Sequence, residues 1–147
     1  MLPDLRAGGA ERLHVYLAND WTEKGYSVEF LLMQKRGELL TLLAPDIKVI
    51  SLDVDCIRRF IKPLAVHLRR SRPDIIIAAM WPLTSAAVIS WILSWKCGRL
   101  YLSDHNQLSI SCIEELKVSS LFLKALMRFT YPFANGIIAV SRGVKED

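Results

Sequence analysis

Five short apolar runs constrain this chain more than anything else in it: SVEFLLM (Ser27 to Met33), IKVISL (Ile47 to Leu52), DIIIA (Asp74 to Ala78), RLYLS (Arg99 to Ser103) and GIIAV (Gly136 to Val140). Most of the stretches between them show helical periodicity. Runs this short and this rich in β-branched residues, alternating with helices, read as buried parallel strands, because parallel strands need crossovers and are covered on both faces. The fold class that follows is α/β, built on a mostly parallel sheet with helices on both faces.

The helices carry their own signals. Ala10 to Lys24 reads as a helix with Ala10, Leu13, Leu17 and Trp21 on one side, ended by Gly25. Glu38 to Leu43 is a candidate short helix. Cys56 to Arg70 is amphipathic, with Ile57, Phe60, Ile61, Leu64, Ala65 and Leu68 opposite Arg58, Arg59, Lys62, Arg69 and Arg70. Leu83 to Trp95 reads as a further helix. The last runs to about Tyr131 along Val118, Leu121, Phe122, Ala125, Leu126 and Phe129. Trp81, Trp91 and Trp95 are read as core, and His14 and His67 as helix-surface residues.

Composition narrows the class. With 147 residues, 52% of them hydrophobic, the chain can bury a core and amounts to one domain, residues 1-147. Ile75 to Trp95 has no charged residue and is long enough for a bilayer span. The β-branched run followed by Pro82 at a helix start favours strand, turn and helix instead. Cys56, Cys97 and Cys112 form no CxxC pair and no metal-ligand spacing with His14, His67 or His105, so no metal site is expected. That pattern, with no signal peptide at MLPDLRAGG, points to the cytoplasm. The net charge of +4 and the basic side of the Cys56 to Arg70 helix, with Lys117, Lys124 and Arg128 as a second patch, suit either a solvated surface or peripheral contact with anionic lipid at the inner face of the cell membrane. Nucleic acid is not expected, because no reading motif accompanies the charge.

LRAGGAER (Leu5 to Arg12) places two glycines at the start of a helix. Such a loop lets an anion approach backbone N–H groups, although an ordinary strand-to-helix turn has the same composition. Asp104-His105-Asn106 follows the fourth strand, and Ser141 is a plausible N-cap with Arg142 beside it. In parallel sheets, ligands bind beyond the carboxyl ends of the strands, where Gly8, Gly9 and His105 fall.

LPDLRAGGAER, RPDIIIA, SDHN and ANGIIAVSRGVKED, in this order, resemble the N-terminal domain of retaining glycosyltransferases of family 4 with the GT-B architecture. The resemblance implies one Rossmann-like half of a two-domain enzyme, the half that mainly binds the acceptor. It implies a nucleotide-sugar donor as cosubstrate and no other cofactor, and a glycan or lipid-linked sugar as acceptor, as in polysaccharide biosynthesis. It places His105 at the point of sugar transfer. Gly8, Gly9, Arg12, Asn106, Ser141 and Arg142 are the candidate donor contacts, with solvated Arg12 and Arg142 and a capping Ser141 as the plain alternatives. Retention without a protein nucleophile would be front-face chemistry assisted by the leaving phosphate.

Two departures from the family pattern shape the expectation. Only Met1 and Leu2 stand before Pro3, where relatives have a full central strand. The sequence also stops at Asp147, before the donor-binding domain. The chain is therefore expected to be incomplete at both ends, completed by a donor-domain partner chain or inactive alone. The alternative is a non-catalytic α/β binding protein or truncated remnant. A nucleotide-binding dehydrogenase fits poorly, because GGAER is not GxGxxG.

Overall fold

The computed structural model describes residues 1–104 and 120–139. The chain divides into two compact units, Met1–Phe60 and Ile61–Asp147. Every pairing between named strands is parallel. The expected class is observed: α/β with parallel sheets, consistent with a Rossmann-like half-domain. The strands fall into two sheets, one in each unit.

In the first unit, α1 (Gly9–Glu23) is followed by β1 (Glu29–Leu32), a 3₁₀ turn (Glu38–Leu42) and β2 (Lys48–Ser51). The two strands pair from Glu29 opposite Lys48 to Leu32 opposite Ser51, and the first pair is also an ion pair at 3.5 Å. The few residues before Pro3 take a strand's place. Leu2 bridges Leu32 in parallel, its N–H donating to Leu31 O at 3.1 Å and its carbonyl accepting from Met33 N at 3.3 Å. Leu2 and Leu5 are fully buried.

The buried face of α1 differs from the expected stripe. His14, Val15 and Ala18 are buried, whereas Leu13 is exposed. His14 is therefore not a surface residue; its Nδ1 lies 2.8 Å from Ala10 O, which satisfies a ring nitrogen inside the helix. Asn19 fixes the face by a two-way bond, donating to Leu42 O at 2.8 Å and accepting from Ala44 N at 2.9 Å.

α2 (Ile57–Ser71) spans the division between the units and buries Phe60, Leu64, Ala65 and Leu68, as its periodicity implies. In the second unit, β3 (Ile75–Ala79), α3 (Leu83–Leu93), β4 (Arg99–Asp104), α4 (Ser120–Thr130) and β5 (Gly136–Ala139) form consecutive parallel crossovers with sheet order β3-β4-β5. Ile76, Ala78, Ala79, Leu100 and Leu102 are buried in β3 and β4. α3 is buried along most of its length, which explains its charge-free sequence. Its polar groups find partners within and beyond the helix: Ser90 donates to Ala86 O at 2.7 Å, and Thr84 shares a hydrogen bond with the Tyr131 hydroxyl at 3.0 Å. Among the described residues no helix is long and apolar enough to cross a membrane.

Three side chains depart from expectation. Trp91 is buried, but Trp95 is 82% exposed, because α3 stops at Leu93 and both Trp95 and Lys96 take positive φ. In α4, Ala125 and Phe129 are exposed while Thr130 is buried. The Val118, Leu121 and Phe122 side chains of the expected stripe, and Lys117 and Lys124, lie outside the described residues.

Two groups in the first unit make its stability depend on pH. Burial pushes the Met1 amino group down to about 5, so below that value folding must bury an ammonium; stability rises between pH 5 and its ordinary value of 8.0. Burial of Asp4 pushes its carboxyl up, but hydrogen bonds from Arg6 and Arg36 outweigh this and hold it below the ordinary value. Its contribution is full above pH 3.8 and lost as pH falls through the lower folded value. Urea titrations of the 147-residue chain across pH 3 to 8 should show both windows. N-terminal acetylation should remove only the upper one. Asp4→Asn should remove only the lower one and cost about 2 kcal/mol at neutral pH, chiefly in hydrogen bonds, because water around the exposed guanidinium groups screens the ion pairs.

Candidate functional site

Because Leu2 pairs with the last residue of β1, the residues after it lie beyond that strand's carboxyl end. Asp4 anchors this segment. Its side chain is 4% exposed and its Oδ2 accepts from Arg6 Nε and Arg36 Nε, each at 3.0 Å. Leu5 N donates to Arg36 O at 2.9 Å and Leu39 N to Leu5 O at 3.0 Å, which ties the loop to the turn after β1. Gly37 makes this approach possible. Its φ is 117°, and a Cβ there would lie 2.0 Å from the Leu5 carbonyl.

Gly8 and Gly9 sit at the start of α1 on this anchored segment. Gly8 is the N-cap residue, with φ −107° and ψ 162°, an extended conformation open to any residue. A Cβ on Gly9 would meet nothing within 4 Å. The nearest atoms to a Cβ on Gly8 would be those of the Glu11 carboxylate, the movable end of a side chain. Neither glycine is thus required by backbone conformation or by fixed packing. No side chain caps the helix at Gly8. Two carboxylates occupy the surroundings: Glu38 Oε2 accepts from Ala7 N at 3.2 Å, and Glu11 lies over Gly8. Arg12 is exposed on the first turn, and its N–H donates to Gly8 O at 3.0 Å.

The second unit also has a feature at the carboxyl ends of its strands. Immediately after β3, Met80 takes φ 70° and donates its N–H to Ser103 O on β4 at 3.2 Å. The adjacent Trp81 Nε1 is buried and has no hydrogen-bond partner among the described residues. Such an unpaired buried donor is uncommon in folded proteins. Hydrophobicity alone reads Trp81 as core; the sequence signal for more is its position directly after a strand, before Pro82. β4 ends at Asp104. His105, Asn106, Ser141 and Arg142 lie outside the described residues. Among those described, no group of three His, Cys, Asp or Glu side chains gathers to hold a metal ion.

The family model for Glycosyltransferase Family 4 matches residues 7–147, nearly the whole chain. The chain belongs to glycosyltransferase family 4. A search of curated proteins returns no match. Within a family 4 domain, the glycine loop and the Met80–Pro82 turn occupy the strand ends at which α/β folds bind ligands.

The two kinds of glycine separate by mutation. Gly9→Ala should leave the fold intact or stabilise it by about 0.5 kcal/mol, through the reduced entropy of the unfolded chain. Gly37→Ala should destabilise it by about 3 kcal/mol, because left-handed strain and a backbone clash coincide. Thermal unfolding monitored by circular dichroism checks both.

Proposed function

We propose that this domain is the acceptor-binding half of a retaining transferase that moves a sugar from a nucleotide-sugar to a glycan or a lipid-linked sugar, in polysaccharide biosynthesis at the cytoplasmic side of the membrane. The glycine loop carries the reading. Two glycines that the fold does not need stand at an uncapped helix N-terminus, on a segment anchored by a buried carboxylate. Close approach of a ligand's phosphate is the requirement that remains for them.

In this reading the N-terminal dipole of α1 stabilises charge developing on the departing diphosphate. Glu11 swings off Gly8 as the diphosphate arrives, and Arg12, Asn106, Ser141 and Arg142 supply further donor contacts. His105 donates a hydrogen bond to the same developing charge or orients a donor hydroxyl. The buried Trp81 N–H meets an acceptor oxygen. The leaving phosphate assists attack on the same face of the sugar, which retains the anomeric configuration. The donor-binding half comes from another domain or chain, without which the domain binds acceptor but does not turn over.

Transfer from UDP-glucose and GDP-mannose to glycan acceptors, measured with and without a fused family 4 donor-binding domain, tests the reading. No turnover by the 147-residue chain and transfer by the fusion are expected. In the fusion, His105→Ala should lower kcat by about a hundredfold or more with little change in acceptor KM. Equal loss of acceptor binding would make His105 a binding or structural residue. Glu11→Gln should strengthen UDP binding by removing a like charge from the loop.

A further inference from the structure

Among the described residues, the turn between β3 and α3 carries a polar group that the fold does not use. Its neighbours are matched: Met80 N donates to Ser103 O at 3.2 Å, Thr84 N to Met80 O at 3.3 Å and Ala86 N to Pro82 O at 3.3 Å. The hydroxyl of Thr84 pairs with that of Tyr131, and Thr130 Oγ1 donates to Ser85 Oγ at 3.3 Å. Trp81 Nε1 stands apart from this pairing, buried and without a partner among the described residues.

An indole N–H only donates, so whatever meets it must present a lone pair. The surroundings narrow the kind of group. From Ala79 to Thr84, and at Leu102 and Ser103, there is no lysine or arginine, so a phosphate or carboxylate drawn in here would bury its charge without a counter-ion. A sugar hydroxyl could accept the bond, but its own proton would then need an acceptor, and the carbonyls of Met80, Pro82 and Ser103 are already engaged. A neutral carbonyl accepts without bringing a proton. In a carbohydrate that group is the carbonyl of an N-acetyl substituent, whose methyl suits the apolar, half-buried side chains of Met80 and Pro82.

Access requires the turn to move, because Nε1 is closed to water. Met80 favours that movement. It holds φ at 70°, a left-handed conformation whose steric penalty is released when the turn opens.

We propose that Trp81 makes this domain selective for an acceptor sugar bearing an N-acetyl group, the acetamido oxygen accepting the indole N–H. The inference rests on the acceptor-binding reading of the domain and adds the acceptor's class to it.

The four tryptophan indole N–H signals of the ¹⁵N-labelled full chain, assigned through bonds, report on it directly. Titration with the methyl glycosides of N-acetylglucosamine and N-acetylgalactosamine should shift the Trp81 signal, and one of them should bind about tenfold more tightly than the matching methyl glucoside or galactoside. Trp81→Phe removes the donor and keeps an aromatic ring. It should bring the two affinities within about twofold of each other while leaving that for the plain glycoside unchanged. If circular dichroism shows that variant unfolded, the wild-type preference and indole shift decide alone. Equal binding of plain and acetylated sugars, a Trp81 signal that stays fixed while the acetylated sugar binds, or a preference that folded Trp81→Phe retains would each overturn this inference and leave the acceptor reading standing. A spectrum that none of the sugars moves would overturn both.

Discussion

The position of the glycine loop depends on a backbone knot between residues 2–6 and 31–39. Leu2 completes a parallel ladder on the edge of β1, the Leu5 backbone bonds to Arg36 and Leu39, and Asp4 holds two guanidinium groups from within the core. Gly37 permits the knot by letting two backbones approach more closely than any side chain would allow. Without it the loop would have no fixed relation to β1. With it, Gly8 and Gly9 sit at a strand's carboxyl end and their own conformations remain ordinary. The first unit thus gives strong constraints to the supporting residues and leaves Gly8 and Gly9 free of structural duty.

This division of labour was partly legible in the sequence. The strands were, because β-branched runs bounded by turns have few other readings, and the glycine pair was, because its composition is unusual at a helix start. The α2 stripe was equally plain. The face of α1 was not, since Leu13 looks apolar and His14 polar, while an intrahelical acceptor at Ala10 made the histidine cheap to bury. Asp4 gave no signal because Arg36 is distant in sequence, and Gly37 resembled any other turn glycine. Trp95 was hidden for a different reason. Hydrophobicity alone assigns tryptophan to a core, and only the helix-end geometry shows that it stands where glycine belongs.

The second unit differs between its two strand ends. At the carboxyl ends, a left-handed Met80 and an unpartnered Trp81 N–H mark a turn whose chemistry is unfinished within the described residues. At the amino ends, Arg72, Trp95 and Lys96 all take positive φ, and Trp95 is exposed. Those two ends are linked by buried strands and by α3, whose hydroxyl groups are hydrogen-bonded, Ser90 within the helix and Thr84 to Tyr131, so that the helix can pack as an apolar rod.

The central claim is that the uncapped start of α1, with its two dispensable glycines, is a phosphate-binding loop of a family 4 glycosyltransferase domain. The most direct measurement is a ¹⁵N–¹H correlation spectrum of the labelled chain titrated with UDP to millimolar concentration. The account predicts saturable shifts at the Gly8, Gly9 and Ala10 amides, with the Gly37 amide unmoved. Shifts confined to other regions, or a spectrum that does not respond, would contradict it.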